Sequence, residues 1–428
     1  MRCLTSRSIA LLASVSLLGL SLVSAPSSSR AARTNRYVSG ELLMKLVRTS
    51  ALHEVASHYG LDPVPIDRFG SAAIYRLRIL DGTSPYDKAN EVLGDPQGRV
   101  IYAEPNFLGE PPEGEARVTW SVGGSTGDYV AQWAPRVIRL ERAQSVTRGA
   151  GITVAVLDTG VDLTHPVLAG KLVSGFDFVD SDRDPSEVGN HTVNPTFGHG
   201  THVAGLVALV APDTKIMPLR VLDADGVGNV WLLAKALAFA MDPDGNPATN
   251  DNVNVINLSL ATSERSKMLR DVIKAVICND NNQNQSPNDL PCFSLAGRGA
   301  VIAAAAGNDA SSTPRYPAAE GRNGMVAVGA STQADTIAAF SNFGSWVDVL
   351  APGEGILSSV PGGIFGTWSG TSMSTPLVAG EAALVRARFP SLKPAKVAER
   401  IIEESAEIDG PVPLRIDAAA AVGAAHAH

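Results

Sequence analysis

A serine near the C-terminus lies where a serine could act as a nucleophile. Ser372 follows a short run of small residues and precedes an Ala-, Leu- and Val-rich stretch, residues 377–389, that predicts a helix. The first turn of a helix has backbone N–H groups without intrahelical partners and the positive end of the helix dipole, so an oxyanion formed beside Ser372 would be stabilised. The alternative is that Ser372 only caps the helix, because serine is a preferred N-cap residue.

Three other polar residues lie at the ends of predicted strands or at the start of a predicted helix. Asp158 and Asn308 each follow an apolar strand, and His199 precedes a helical stretch. Taken singly, Asp158 could be a turn residue, His199 a surface residue, and His199 with His202 a pair of metal ligands. Single motifs carry a high false-positive risk, so the interpretation depends on whether the residues act together.

The four residues together satisfy the requirements of acyl transfer by serine. Such a reaction needs a base for the hydroxyl proton, a carboxylate that holds the imidazole in one tautomer, and donors for the oxyanion. Asp158, His199 and Ser372 occur in one of the known chain orders for these roles. The Asn308 amide and the Ser372 N–H would be the donors, each contributing on the order of 3 kcal/mol in the transition state. Neither the Gly-x-Ser-x-Gly elbow of lipases nor the His-Glu-x-x-His motif of zinc peptidases fits this chain.

From Gln132 onward the sequence predicts an α/β fold. Continuous apolar, β-branched runs alternate with helical stretches, which is typical of a parallel sheet covered by helices on both faces. The predicted strands are residues 152–157, 216–222, 253–260, 300–305 and 325–328, and the predicted helices are residues 202–210, 231–241 and 267–277. Function in such sheets gathers at the C-terminal ends of the strands, where Asp158 and Asn308 are expected.

Four segments precede this main domain, residues 132–428. Residues 1–25 have the positive start, apolar run and small-residue end of a secretory signal peptide, although an uncleaved membrane anchor is the alternative. Residues 26–36 form a flexible leader, and residues 37–107 form a small α+β domain. Residues 108–131 are rich in Gly, Pro and Glu and predict an exposed linker, where a processing site is expected because nicking concentrates in exposed backbone.

Charge and cysteine content restrict the class of protein. The formal net charge of -8 argues against a general nucleic-acid binder, which needs a basic face. Beyond the signal segment no stretch is long and apolar enough to anchor the chain in a membrane. Cys278 and Cys292 flank an Asn- and Asp-rich stretch, and in an exported protein they could form one disulfide or remain two thiols.

Four sequence blocks carry a resemblance to a known family. Residues 158–160, 199–205 and 370–376 resemble the three signature blocks of the subtilisin-like serine proteases (subtilases), and they occur in the family's order. Residues 304–308 match the family's oxyanion-hole block. The resemblance extends over residues 132–422, and four matching blocks in one chain are highly specific.

The resemblance implies a secreted, monomeric serine endopeptidase with a subtilisin-like parallel sheet, made as a self-processing zymogen. Residues 37–107 would be the inhibitory propeptide, with residues 102–105 similar to its closing strand. Polypeptides would be the substrates, and the chemistry would require no cofactor. The alternative is a catalytically silent binding protein with the same fold, but the intact set of four polar residues argues against it.

Subtilases frequently bind calcium, and an acidic loop precedes His199. The loop contains four aspartates: Asp177, Asp180, Asp182 and Asp184. Their carboxylates suit a structural calcium ion, but a solvated acidic loop is the alternative, and no calcium site of the family maps onto these positions. The resemblance also implies that His202 is a packed second histidine rather than a metal ligand.

The resemblance further implies a substrate cleft. An edge strand that pairs with an extended peptide would consist of Gly226, Val227 and Gly228. The primary specificity pocket would be lined by Ser259, Leu260, Ala261, Ala305 and Gly307. Ala261 replaces a glycine of the family and is expected to crowd this wall, whereas Leu377 replaces a histidine with an expected effect on packing alone.

Arg315 lies where the family has a residue near the floor of the primary pocket. One hypothesis is that Arg315 favours an acidic residue before the scissile bond through a charge-assisted contact. Glu113 and Glu115 of the linker would then be points of self-cleavage. The alternative is that the Arg315 side chain extends into solvent.

Overall fold

The computed structural model describes most of the chain beyond the N-terminal leader. The described residues are 36–116, 120–246, 249, 251–278, 288–293 and 299–424, without the side chains of residues 115 and 116. The expected signal segment and residues 26–35 of the expected leader therefore lie outside the described residues. Within the described ranges no helix combines the length and the apolar character needed to cross a bilayer.

The domain before the linker has the predicted α+β character. Its strands are β1 (Tyr37–Leu46), β2 (Asp67–Arg68), β3 (Ile74–Arg78) and β4 (Val100–Gly109), and its helices are α1 (Leu52–His58) and α2 (Pro85–Leu93), with a 3-10 turn at Thr49–Ala51. The strands pair antiparallel in the order β2-β3-β1-β4, and apolar side chains of the sheet and both helices share one core. Helix α2 begins at Pro85 because Ser84 Oγ caps it and proline suits the first helical position.

The linker differs from the predicted exposed segment. Strand β4 continues into it as far as Gly109, and three short elements follow: helix α3 (Pro112–Ala116), strand β5 (Ser121–Val122) and helix α4 (Thr126–Ala131). Glu113 has only 1 % of its surface exposed. The prediction of exposure was wrong for Glu113, because Gly, Pro and Glu content indicates local loop preference and not packing against a distant part of the chain. Residues 121–128 of the linker are exposed as predicted.

The main domain consists of strands that alternate with helices. Its strands are β6 (Thr153–Asp158), β7 (Phe176–Asp177), β8 (Lys215–Arg220), β9 (Gly228–Asn229), β10 (Val255–Leu258), β11 (Val301–Ala305), β12 (Met325–Ser331), β13 (Val349–Pro352), β14 (Ile356–Val360), β15 (Ile364–Trp368), β16 (Ala406–Glu407) and β17 (Leu414–Arg415). Its helices are α5 (Trp133–Val137), α6 (Leu140–Val146), α7 (His199–Val210), α8 (Val230–Met241), α9 (Lys267–Ile277), α10 (Thr371–Arg388), α11 (Pro394–Glu403) and α12 (Ala418–Ala421). Two 3-10 turns lie at Pro166–Leu168 and Ala318–Glu320.

Nine of these strands form one sheet, which confirms the predicted α/β architecture. The strand order is β16-β17-β13-β12-β11-β10-β6-β8-β7, and every neighbouring pair is parallel except β16–β17 at one edge. The five predicted strands correspond to β6, β8, β10, β11 and β12. Parallel pairing brings the C-terminal ends of these strands to one edge of the sheet, where polar residues can meet.

Burial on both faces explains why the strands are continuously apolar. In β6, Val154 and Val156 pack into the core that contains α7 and α10, whereas Ala155 and Leu157 pack into the core that contains α8 and α9. Successive side chains of a strand point to opposite faces, so a strand covered on both sides needs apolar residues at every position.

Helices α7 and α10 pack against each other in one core. A Cβ atom at Gly380 of α10 would lie 2.5 Å from Val210 Cβ of α7, so only glycine permits this approach. Leu377 is buried in the same core, in agreement with the packing role expected for it.

The first domain docks on the N-termini of two helices of the main domain. Glu104 of β4 accepts hydrogen bonds from Ser266 Oγ (2.6 Å), Lys267 N (2.7 Å) and Met268 N (3.0 Å), which lie at the start of α9. Asn106 Oδ1 accepts from Trp231 N (3.1 Å) in the first turn of α8. Side chains of the first domain thus satisfy N–H groups that the helices themselves leave unpaired.

Cys278 and Cys292 form a disulfide, with their Cα atoms 5.4 Å apart. The bond closes the stretch that follows α9, of which residues 279–287 lie outside the described residues. Of the two possibilities that the sequence left open, the structure therefore has the disulfide.

Candidate active site

Element ends bring the four predicted polar residues together. Asp158 is the last residue of β6, Asn308 follows β11, His199 is the first residue of α7, and Ser372 lies in the first turn of α10. The two strands supply the carboxylate and the amide from one edge of the sheet. The two helices supply the imidazole and the hydroxyl from their N-termini.

The imidazole of His199 is fixed by its neighbours. Nδ1 lies 2.7 Å from Asp158 Oδ1, and that oxygen also accepts from Thr159 N at 2.8 Å. The Trp368 ring packs edge-on against the imidazole, with ring centroids 5.3 Å apart. Asp158 and His199 are both buried, so the hydrogen bond to Nδ1 fixes the tautomer and leaves Nε2 facing the cleft.

The linker residue Glu113 occupies the space between the catalytic groups. Its Oε1 accepts from Asn308 Nδ2 (2.8 Å) and from Ser372 N (3.3 Å). Its Oε2 accepts from Ser372 Oγ and lies 3.2 Å from His199 Nε2. Oε1 therefore takes the place in which two N–H donors would hold an oxyanion, and Oε2 bridges the hydroxyl and the imidazole.

The charged forms of His199 and Glu113 stabilise each other. Burial alone would lower the pKa of His199, but the carboxylates of Asp158 and Glu113 outweigh it and raise this pKa to about 10. Burial would raise the pKa of Glu113, but hydrogen bonding and charge from His199, with hydrogen bonds from Ser372 and Asn308, lower it. At neutral pH the arrangement is an imidazolium between two carboxylates.

The Asn308 amide has a fixed orientation. Its Oδ1 accepts from Thr371 N and from Thr371 Oγ1, both at 2.9 Å, which leaves Nδ2 to donate into the cleft. Gly370 provides the room for an acceptor there, because a Cβ atom at this position would lie 2.9 Å from Asn308 Nδ2 and 1.6 Å from Glu113 Oε1. Any side chain at residue 370 would fill the oxyanion position.

The linker lies along the cleft as an extended strand. Leu108 and Gly109 at the end of β4 pair antiparallel with Asn229 and Gly228 of β9. On the other side Glu110 exchanges backbone hydrogen bonds with Ala261, at 3.1 and 3.0 Å. A bound backbone therefore has hydrogen bonds on both sides.

The cleft edge differs by two residues from the predicted one. Gly228 pairs with the linker, but Gly226 and Val227 form the turn before β9, and Asn229 is the second residue of the edge. Gly226 has a φ of +76°, and a Cβ atom there would lie 2.6 Å from Thr196 Oγ1. The turn geometry explains the glycine, whereas the sequence suggested that it belonged to the strand.

The other predicted pocket residues differ in the groups that they contact. Ser259 Oγ donates to Ser372 O at 2.9 Å, and Ser372 Oγ lies 3.3 Å from Ser259 O, so Ser259 contacts the nucleophile itself. Leu260 lines an apolar cavity beside the linker strand. Ala305 is buried at the end of β11, and Gly307 donates its N–H to Thr371 Oγ1 at 3.1 Å.

Arg315 forms an ion pair with Asp309. Its Nε and Nη2 lie 2.9 and 2.8 Å from Asp309 Oδ2, and its side chain is 14 % exposed. Glu113, which the hypothesis assigned to the primary pocket, instead contacts the catalytic groups. The structure thus gives Arg315 an acidic partner within the main domain.

Candidate metal ligands have other partners. His202 Nε2 lies 3.1 Å from two backbone oxygens, and burial lowers its pKa to about 3, so it is a neutral packed residue. In the predicted calcium loop, Asp177 and Asp180 both pair with Arg220. Among the described residues the three-carboxylate group that could approach one ion is elsewhere and was not predicted: Asp242, Asp244 and Asp251.

The sequence interpretation also missed a carboxylate at the start of α7. Glu187 Oε1 accepts from Thr201 N and Thr201 Oγ1, both at 3.0 Å, and its Oε2 accepts from Gly198 N at 3.3 Å. Burial raises the pKa of Glu187 to about 7 against the lowering effect of these bonds. The only signal in the sequence was an acidic residue upstream of the glycine-rich helix start.

Comparison with known proteins gives the same family as the signature blocks. The model of the subtilase family matches residues 149–420. A thermophilic serine proteinase of Bacillus sp. (strain AK1) is 38 % identical over 67 % of this chain and 63 % of its own length. Thermitase of Thermoactinomyces vulgaris is 35 % identical over 64 % of this chain and 88 % of its own length.

Two solved structures are similar as well. A cold-adapted subtilisin-like serine proteinase matches with a TM-score of 0.52 and 31 % identity, covering 63 % of this chain and 88 % of its own. Fervidolysin from Fervidobacterium pennivorans matches with a TM-score of 0.70 and covers 92 % of this chain and 62 % of its own, but at 21 % identity it shows the fold alone. Because the family model spans more than half of the residues, the chain belongs to the subtilase family of serine proteases.

Proposed function

We propose that the chain is a serine endopeptidase, exported as an inhibited and self-processing precursor. The observation that carries the proposal is the linker in the cleft, since residues 108–110 pair with both cleft walls and lead to the bonded group of Asp158, His199 and Ser372. A groove that binds one extended backbone through main-chain hydrogen bonds suits other extended polypeptides. Polypeptides are therefore the proposed substrate class.

The catalytic roles follow from the geometry once Glu113 has left. His199 Nε2 takes the Ser372 proton as the hydroxyl attacks the peptide carbonyl, and it returns a proton to the leaving amine. Asp158 holds Nδ1 and stabilises the imidazolium. Asn308 Nδ2 and Ser372 N donate to the oxyanion, in the position that Glu113 Oε1 occupies in the precursor.

The domain of residues 37–107 is proposed as the inhibitor of the precursor. Its strand β4 leads into the cleft, and Glu104 and Asn106 bind the starts of two helices of the main domain. The cut that releases the main domain is expected within residues 108–131. N-terminal sequencing of the secreted active form would identify the cut bond.

Export is proposed from two independent features. Residues 1–25 have the pattern of a signal peptide. The disulfide between Cys278 and Cys292 suits an oxidising compartment outside the cytosol.

The alternative, a silent binding protein, has less support. A protein that only binds peptides needs the cleft walls but not the buried hydrogen bond between Asp158 and His199 or the fixed Asn308 amide. The Bacillus relative and one of the similar solved structures are also named as serine proteinases. Covalent labelling of Ser372 by a fluorophosphonate separates the two functions, because such a probe needs an activated serine.

Ser372→Ala tests the peptidase function directly. We expect complete loss of casein hydrolysis and an uncut precursor, because no other group can form the acyl-enzyme, while the far-UV circular dichroism spectrum stays unchanged. Ser369→Ala is the matched control, since Ser369 Oγ accepts from Gly355 N and should be dispensable for hydrolysis. Casein hydrolysis at the wild-type rate by Ser372→Ala would refute the assignment.

A further inference from the structure

The Glu113 carboxylate bonds to catalytic donors with both oxygens. Its side chain is fully buried, and its partners are Asn308 Nδ2, Ser372 N, Ser372 Oγ and His199 Nε2. These are the same groups that a tetrahedral intermediate would engage during catalysis. The carboxylate has two oxygens on one carbon, so it can fill the oxyanion position and the position between nucleophile and base at once.

The linker conformation presents a side chain, not a peptide bond, to the nucleophile. Residues 108–110 follow the cleft as a strand, and helix α3 then begins at Pro112, in the first position that proline favours. The backbone leaves its extended path at this point. Glu113 thus reaches the catalytic group through its side chain.

A carboxylate in this position cannot be turned over. Attack by Ser372 Oγ on its carbon would produce a tetrahedral species with two negatively charged oxygens. That species has no amine leaving group and can only collapse by expelling the serine again. No bond is broken, so the occupant persists where a peptide carbonyl would be consumed.

The same carboxylate also disables the base. His199 Nε2 faces Glu113 Oε2 while Nδ1 faces Asp158, so the imidazole carries a proton on each nitrogen and has no lone pair for the Ser372 proton. The raised pKa of His199 agrees with this geometry. Ser372 meanwhile donates its own proton to Glu113 Oε2, which takes the place of the base as acceptor.

We propose that Glu113 is the inhibitory group of the precursor, and that its carboxylate blocks the oxyanion position and keeps the catalytic base protonated until the linker withdraws. This inference rests on the proposed function of the chain as a peptidase precursor. It goes beyond a docked domain that merely covers the cleft. It also has a consequence for processing, because residues 111–113 pass the nucleophile without being cut in this conformation, and cleavage must follow a rearrangement of the linker.

The test compares full-length chains that differ at one glutamate. Glu113→Gln keeps the shape and removes the charge, Glu113→Ala removes the group, and Glu54→Gln is the matched control because Glu54 pairs with Arg99 within the first domain. The measured quantity is the rate at which a fluorophosphonate probe labels Ser372 in the full-length band at neutral pH. We expect Glu113→Gln and Glu113→Ala to label about tenfold faster than wild type or more, because charge-assisted hydrogen bonds are lost, and Glu54→Gln to label like wild type.

Other results would overturn the inference. If Glu113→Gln and Glu113→Ala label at the wild-type rate, or if Glu54→Gln accelerates labelling equally, the Glu113 carboxylate is not the inhibitory group. Thermolysin, a zinc protease that the probe does not label, serves as the second arm by cutting the linker of each chain. The inference is supported if wild type is labelled only after this cut, whereas the Glu113 variants are labelled fast without it. An absence of labelling in every chain, cut or uncut, contradicts the proposed peptidase function itself.

Discussion

His199 has a carboxylate at each ring nitrogen, and the two carboxylates have opposite consequences. Asp158 is part of the same domain and stays in the active form, where it orients the imidazole. Glu113 belongs to the linker, and while it is present the proton on Nε2 is held in place. The protonation state of one imidazole therefore reports whether the linker is in the cleft.

This arrangement predicts the pH range over which His199 titrates. The pKa of His199, about 10, lies above the ordinary value of 6.5, so its ion pairs contribute in full below about pH 6.5 and are lost as the pH rises through about 10. In a Ser372→Ala precursor, ¹⁵N NMR should show a doubly protonated His199 ring at pH 8. Glu113→Gln should lower the titration midpoint of the ring. An unchanged midpoint would mean that Glu113 has no charge coupling to the base.

Glu381 of α10 is a buried carboxyl that has no part in the proposed chemistry. It is 0 % exposed, and neither side-chain oxygen has a hydrogen-bond partner among the described residues. Burial raises the pKa of Glu381 well above its ordinary value of 4.5. Because the folded-state pKa of Glu381 is raised, the carboxyl lowers the free energy of unfolding once the pH is above 4.5. This cost grows until the pH reaches the folded-state pKa.

Glu381→Leu is therefore expected to stabilise the fold at neutral pH. The free energy of unfolding should rise by roughly 1–3 kcal/mol at pH 7, and the gain should shrink as the pH falls toward 4.5. Denaturant unfolding of the Ser372→Ala precursor between pH 4 and 8 measures both effects without self-digestion. Glu403→Leu, at an exposed residue of α11, is the control and should change stability little at any pH. A destabilised Glu381→Leu protein at pH 7 would show that the carboxyl has a compensating partner.

At the scale of elements, the first turn of α7 carries His199 and is itself held by side-chain hydrogen bonds. Glu187 accepts hydrogen bonds from Gly198 and Thr201, which lie on either side of His199. Thr201 Oγ1 in turn accepts from Asp162 N at 2.8 Å, so the same turn is tied to the loop after Asp158. The position of the imidazole thus depends on a residue outside the triad.

Glu187→Ala should reduce kcat more than it changes KM. The helix N-terminus would lose an acceptor and its position would relax, and small displacements of a catalytic group cost rate without affecting substrate pairing in the cleft. We expect a kcat lower by about tenfold and a KM within about twofold of wild type, measured on a peptide substrate with the activated enzyme. Glu187→Gln keeps a carbonyl acceptor and should lose less. If the exposed control Glu354→Ala lost as much kcat, the effect would come from the lost charge and not from the start of α7.

At the scale of the whole molecule, the first domain adds a strand and a helix cap to the second domain. Strand β4 belongs to the sheet of the first domain and also pairs with β9 of the second, while Glu104 caps α9. The first domain therefore completes helix starts and a sheet edge in the second. Buried polar contacts and apolar side chains such as Phe69 and Tyr102 both join the two domains.

Glu104→Ala should weaken this association. The first turn of α9 would lose three hydrogen bonds to a carboxylate, which we expect to cost roughly 2–3 kcal/mol of binding free energy. After thermolysin cuts the linker of a Ser372→Ala precursor, size-exclusion chromatography should show the first domain dissociating at higher protein concentration than in the parent. Glu54→Ala is the control, because Glu54 pairs with Arg99 within the first domain. Identical dissociation of the Glu104 and Glu54 variants would contradict the capping role.

The sequence predicted those parts of the molecule that depend on local pattern. Strand β6 and Asp158 were predictable because a strand buried on both faces is apolar at every position and ends at a polar residue. The helix that carries Ser372 was predictable because an Ala-, Leu- and Val-rich stretch follows the serine. The four candidate catalytic residues were proposed from their order along the chain, and the structure brings them together.

The contacts of Glu113 and Arg315 could not be predicted in this way. Glu113 meets Ser372 across 259 residues of sequence, and nothing in the Gly-, Pro- and Glu-rich linker distinguishes a buried carboxylate from an exposed one. Arg315 was placed near a pocket by position alone, whereas its ion pair with Asp309 depends on how a loop folds back. Both contacts depend on tertiary packing, which overrides local composition.

Strand β4 also sets a limit on the kinetics of activation. The linker backbone that continues β4 uses the hydrogen-bonding edges at Gly228 and Ala261 that an incoming polypeptide needs. A substrate therefore cannot bind first and push the linker out. Activation should accelerate with anything that loosens the first domain and remain independent of substrate concentration, as in a reaction whose slow step precedes binding.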